Sequence, residues 1–166
     1  MGALVLLTTI MLNFYKIFSG NWETLDGTQI GIDATSLATS YFEIAHGLAF
    51  DIETYDTLKN ITSPSQLTKP DELGPDEGNF DISTFNDFDD FHGYSDTTHL
   101  PGLGTYVAEF EVYYVNPLDV TEKISNSRRF TKRMNVKIWR DNPPPPSGGG
   151  IDTLRMFTVM GYFNFQ

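Results

Sequence analysis

The stretch ATSLATSYFEIAHGLAFD, Ala34 to Asp51, decides the fold. Ala34, Leu37, Ala38, Tyr41, Ile44, Ala45 and Leu48 recur at steps of three and four residues, which places them on one face of an α-helix. Asp33 stands just ahead as an N-cap, and the helix is expected to run out between Phe50 and Glu53. Glu43 and His46 fall outside the stripe. A stripe of this kind packs on a sheet.

Upstream, residues 19–31 are polar and hold Gly20, Gly27 and Gly31. An interior glycine costs a helix up to about 1 kcal/mol relative to alanine, so this stretch is expected to kink or unwind. Before it, Met1 to Tyr15 carry no charge and are mostly aliphatic or aromatic. Leu4, Val5, Leu6, Leu7, Ile10, Met11, Phe14 and Ile17 cover most faces of a helix, and such a helix must be surrounded by something apolar. Three readings are open. A signal peptide needs a basic region ahead of its apolar run, and only Met1 precedes Gly2. A permanent anchor would rise roughly 27 Å over residues 1–18, just short of a bilayer core, and Thr8, Thr9, Asn13 and Lys16 make it a mediocre span. The third reading is a helix held in a bilayer first and later buried among identical helices. Contacts that do not close into a ring then build a helical filament.

Downstream, residues 55–104 read as an irregular acidic loop punctuated by Pro64, Pro70, Pro75 and Pro101. Its aromatics Phe80, Phe85, Phe88, Phe91 and Tyr94 suggest that it is pinned down. The remainder, 105–166, alternates with period two. Tyr106, Ala108, Phe110, Val112 and Tyr114 form one row, and Met134, Val136 and Ile138 another, with Arg133, Asn135, Lys137 and Trp139 facing the other way. Leu154 to Phe165 is a third run, reached through the proline- and glycine-rich connector Asp141 to Gly150. In an antiparallel meander, Glu109 and Glu111 can face Arg133 and Lys137. The expected fold is therefore α+β. A long helix over 1–54, hydrophobic over 1–18 and loosened over 19–31, packs on a C-terminal antiparallel sheet.

The net charge of −11 argues against nucleic acid as a partner. The acid is concentrated in the first hundred residues, where sixteen Asp and Glu face only Lys16, Lys59 and Lys69. Without cysteine, disulfides and thiolate metal sites are excluded. One dense set of hard oxygens exists, Asp87, Asp89, Asp90 and Asp96, chemically suited to Ca²⁺, although the spacing lacks the distant bidentate glutamate of an EF-hand. Its bland alternative is a solvated acidic loop. No nucleophile elbow, phosphate loop or dinucleotide fingerprint is present, and an enzyme is not expected.

This order of elements, together with the Ala34 to Asp51 segment, resembles mature type IV pilins and pseudopilins, whose helix carries an A-x-x-L-A-x-x-x-x-E pattern before a Phe/Tyr-Asp turn. The resemblance implies a leader removed from a precursor, Met1 as an N-methylated first residue, and residence in the bacterial inner membrane before assembly. It further implies a homopolymer, an extracellular, pilus-like filament at the cell surface built through Leu4, Val5, Leu6, Leu7, Ile10, Met11, Phe14 and Ile17. The chain departs from the family at Val5, where a glutamate is usual. The rival expectation is a membrane-anchored, non-polymerising module that binds or adheres through calcium.

Overall fold

Ile30, Ala34, Ala38, Tyr41 and Ala45 are the inward face of a single helix, α1 (Gly2–His46), and all are buried. Three alanines in that row let the helix lie close against its neighbour. Ile44, expected in the stripe, is 45 % exposed, because the buried line runs through Tyr41 and Ala45 and leaves it on the flank. The structure is a computed structural model describing residues 2–56, 59–75, 80–144 and 153–163, with α1 side chains described over 8–16 and from 25 onward.

α1 is unbroken through Gly20, Gly27 and Gly31, which corrects the expected kink. Isolated glycines cost a helix about 1 kcal/mol each, and tertiary bonds hold the segment around the last two. Arg140 grips Asp26 with both Nη atoms, at 2.8 and 2.6 Å. Asp33 is not an N-cap. It lies mid-helix, accepting from Gln29 Nε2 at 2.8 Å and from the Tyr106 hydroxyl at 3.0 Å. The helix ends at His46, where the chain turns into a one-turn helix, α2 (Ile52–Tyr55), capped by Asp51.

The expected hydrophobic first half is overturned. Among the described residues no helix is long and apolar enough to cross a membrane. Thr8, Thr9, Asn13 and Lys16 dilute the apolar run, and the helix continues into a polar stretch carrying Glu23, Asp26 and Gln29. The pilin-like character falls with it, as do polymerisation through an apolar helix, prior residence in an inner membrane, an extracellular pilus-like filament, and the membrane-anchored alternative. Of the residues named for assembly, Ile10, Met11 and Phe14 are exposed. The side chains of Leu4, Val5, Leu6, Leu7 and Ile17 lie outside the described residues, as does Met1 entirely.

What α1 packs on is an antiparallel sheet of five strands: β1 (Ser95–Leu100), β2 (Gly104–Asn116), β3 (Asp119–Ile124), β4 (Thr131–Asn142) and β5 (Leu154–Gly161). Their order is β1-β2-β4-β5, with β3 also paired to β2. β4 runs along one edge of β2, and the other edge is divided between β1 and β3. Tyr106, Ala108, Phe110, Val112 and Tyr114 point to the helix side with Met134, Val136 and Ile138, as their alternation requires.

Two strands lie where a loop and a connector were expected. β1 (SDTTHL) carries one large apolar residue, so hydrophobic alternation gives it no signal. Two of its three inward residues are polar and meet Tyr41, whose hydroxyl contacts Asp96 and lies 3.2 Å from Thr98 Oγ1, while Leu100 packs on the core. β3 (DVTEKI) is mostly exposed. The loop aromatics Phe85, Phe88, Phe91 and Tyr94 are buried in the core, with Phe85 edge-on to both Phe91 and Tyr94 at 5.1 Å. Phe80 stays exposed.

Candidate functional site

The four aspartates expected to gather round calcium have other employment. Asp87 caps the 3-10 turn Phe88–Phe91, its Oδ1 accepting from the amides of Asp89 (2.9 Å) and Asp90 (3.2 Å). Asp90 returns the bond, accepting from the amides of Asn86 (2.7 Å) and Asp87 (3.1 Å). Asp96 lies on β1 and accepts from the Thr97 amide at 2.8 Å, facing Tyr41 rather than the turn. Asp89 contacts the ammonium of Lys132. Among the described residues no group of three or more His, Asp or Glu is arranged to hold a metal ion.

Lys132 is the residue that the sequence reading missed. Its side chain is fully buried, and its Nζ donates to Asp51 Oδ2 at 2.8 Å, to the Phe50 carbonyl at 2.9 Å and to Asp89 Oδ1. The rings of Phe50 and Tyr114 flank the ammonium at 4.7 and 5.4 Å. Backbone pairing assembles this site. Phe88 N donates to Ala49 O at 2.8 Å and Ala49 N to Asn86 O at 3.2 Å, which sets Asp51 beside Asp89. A signal was present in β4, because Lys132 and Arg140 are in phase with Met134, Val136 and Ile138. Both cations point inward, and each meets a carboxylate.

The carboxyls of this cluster are pulled apart electrostatically. Burial alone would raise Asp51. The charge of Lys132 and the bonds from Lys132, Thr68 and Glu53 outweigh burial and hold Asp51 below the ordinary carboxylate range. Burial comes first for Asp87 as well, reinforced by the charge of Asp89, and pushes it up to about 9. Asp89 is likewise raised by burial, against the pull of Lys132. Burial and the nearby Asp51 charge also raise the Tyr114 hydroxyl, which donates to Thr68 O at 2.7 Å.

The second candidate is the sheet face turned away from α1. A cleft of about 670 Å³ opens there, lined by Glu109, Glu111, Arg133, Asn135, Lys137, Arg155 and Phe157 among others. Glu109 meets Lys137 at 3.1 Å, across the register that alternation suggested. Glu111 lies opposite Asn135 and pairs instead with Lys123 from β3 at 2.5 Å. Arg133 bonds Asn135 Oδ1 at 2.8 Å and Val120 O at 2.9 Å, with its guanidinium 3.9 Å from the centre of the Phe157 ring. Lys137 lies 4.5 Å from the centre of the Trp139 ring. Arg155 stands directly opposite Lys137 and has no side-chain partner among the described residues.

The chain matches no protein-family model, no curated protein and no solved structure.

Proposed function

We propose that this chain is a non-catalytic binding domain that recognises an acidic, carboxylate-bearing partner on the open face of its sheet. The observation that carries the proposal is Arg155, set across from Lys137 with no acidic partner among the described residues. Like charges directly opposite on a sheet destabilise by about 0.2–1 kcal/mol, and an arriving carboxylate relieves that cost. In this acidic protein the face holds Lys123, Arg133, Lys137 and Arg155 against Glu109 and Glu111. These six side chains carry four positive and two negative charges, an excess of two positive. The planar guanidinium of Arg155 suits bidentate contact with a carboxylate.

Trp139, beneath the Lys137 ammonium, provides the readout. Titration with a poly-glutamate peptide at low salt should give a saturable change in tryptophan emission. Added salt should weaken it, and Arg155→Glu should abolish it. A poly-lysine peptide should produce none. The proposal fails if poly-glutamate leaves the emission unchanged, or if Arg155→Glu responds as the unmodified chain does.

A further inference from the structure

The open sheet face makes no use of the buried group around Lys132, and that group has the composition of a self-modifying site. We propose that Lys132 and Asp89 condense within the folded chain, forming an amide between Lys132 Nζ and Asp89 Cγ and releasing one water molecule. A primary amine stands against two carboxyl groups where Lys132 and Asp51 are fully buried and Asp89 is 2 % exposed. Phe50 and Tyr114 wall the site with aromatic surface. In such a place a nucleophile and its target are held at contact distance without competing water.

The hydrogen bonds distinguish the two carboxyls. Asp51 is saturated. Its oxygens accept from Lys132, from the Glu53 and Thr68 amides and from Thr68 Oγ1, and the Tyr114 hydroxyl stands 3.3 Å from Oδ2. Losing an oxygen from Asp51 would strand several buried donors. Asp89 accepts from Lys132 and is hydrogen-bonded to the neighbouring carboxyl of Asp87, so it can lose an oxygen more freely. Asp51 is therefore the base and Asp89 the electrophile. The Lys132 ammonium gives one proton to the Asp51 carboxylate, and the free amine attacks Cγ of Asp89 in its acid form. The Nζ–Cγ bond forms and a Cγ–O bond breaks. The departing oxygen leaves as water, taking a second proton from nitrogen. The product is a neutral amide, and Asp51 holds the first proton. Atoms and charge balance with no outside reagent.

The amide would join the Phe88–Phe91 turn to β4 across the 43 positions that separate Asp89 from Lys132. Intact mass measured on the denatured full chain reads the reaction directly. The folded and purified protein should weigh one water molecule less than its sequence. A protease digest should contain a branched peptide that joins the Lys132 segment to the Asp89 segment. Lys132→Met, close in volume and without an amine, should show the full mass, and so should Asp89→Ala. Asp51→Asn keeps both reacting groups and removes the base, and it should lose the one-water deficit. Full mass in the unmodified folded chain overturns the proposal. It also fails if the deficit persists in Lys132→Met, as it would for an aspartyl succinimide, or if the branch joins Lys132 to another residue. Should the variants not fold, the peptide map of the unmodified chain decides alone.

Discussion

Replacing Asp87 by asparagine changes one heavy atom in a strongly perturbed carboxyl of the buried cluster. Asp87 is 3 % exposed, and burial, with Asp89 and Asp90 nearby, pushes its pKa from 3.8 up to about 9. The folded chain therefore keeps a proton that the unfolded chain releases above about pH 4. A group raised in this way contributes stability that is fully present below its unfolded pKa and erodes as the pH climbs toward about 9. Each pH unit in that interval costs about 1.4 kcal/mol.

Two neighbours act in the opposite sense but in other windows. Asp51 is depressed, so its contribution is present above 3.8 and is lost only in stronger acid. His92 is depressed from 6.5, chiefly by burial, and its effect is complete once the pH passes that value. From about pH 7 to about pH 8.5 the unmodified chain should thus lose about 2 kcal/mol through Asp87. An asparagine in its place would still cap the turn through Oδ1, and the side-chain amide N–H would replace the carboxyl O–H toward Asp89. The amide has no proton to lose, so Asp87→Asn should show a shallower profile, with Asp89 the remaining raised carboxyl, and be the more stable protein at the alkaline end. Burial is the leading cause of the shift, so the contrast holds whether Lys132 is free or bonded. Urea titrations across this window, analysed by linear extrapolation, measure it. Parallel profiles for the two proteins would refute the reasoning, as would a less stable variant at the alkaline end.

Tyr106→Phe deletes the 3.0 Å bond to Asp33, which keeps Gln29, so the expected loss is about 1–2 kcal/mol in the same assay. Asp26→Ala leaves the 7 % exposed Arg140 side chain without its bidentate partner. Discounted for the partial exposure of Asp26, this should cost about 1–3 kcal/mol and speed amide exchange in α1 around residues 25–33. Gly104 has φ +121°, and an added Cβ would sit 2.5 Å from Asn142 O. Gly104→Ala should therefore lower Tm by an amount equivalent to about 1–3 kcal/mol, with the β1 amides exchanging faster.

The helix stripe from Ala34 to Ala45 and the alternating rows of β2 and β4 could be read from sequence because burial on one face imposes a period that composition displays. β1 and β3 could not, since their inward positions are polar or half-exposed and leave no such trace. The glycine-loosened stretch misled for a different reason. Helix propensity is a local quantity, and the Arg140–Asp26 and Tyr106–Asp33 bonds that steady the helix come from residues more than seventy positions away. The apolar opening misled because Thr8, Thr9, Asn13 and Lys16 dilute it and the helix runs on into polar residues, so that no helix among the described residues is long and apolar enough to cross a membrane. Among the candidate ligands, a run of aspartates suggested a cation, and the structure does supply one to Asp89, but it is the ammonium of Lys132. Only continuing the β4 alternation two residues outward in each direction could have revealed it.

β2 is the strand on which the sheet is registered. It touches β4 on one side and shares its other side between β1 and β3, so every other strand but β5 needs it as a template. A slip by one residue would carry Phe110 out and Glu109 in along all three ladders at once, which makes misaligned assembly prohibitively unfavourable. β2 and β4 should accordingly hold the slowest-exchanging amides in the molecule and open only when the whole domain unravels. A half-built sheet should therefore not accumulate, and unfolding followed by fluorescence and by circular dichroism should give coincident transitions.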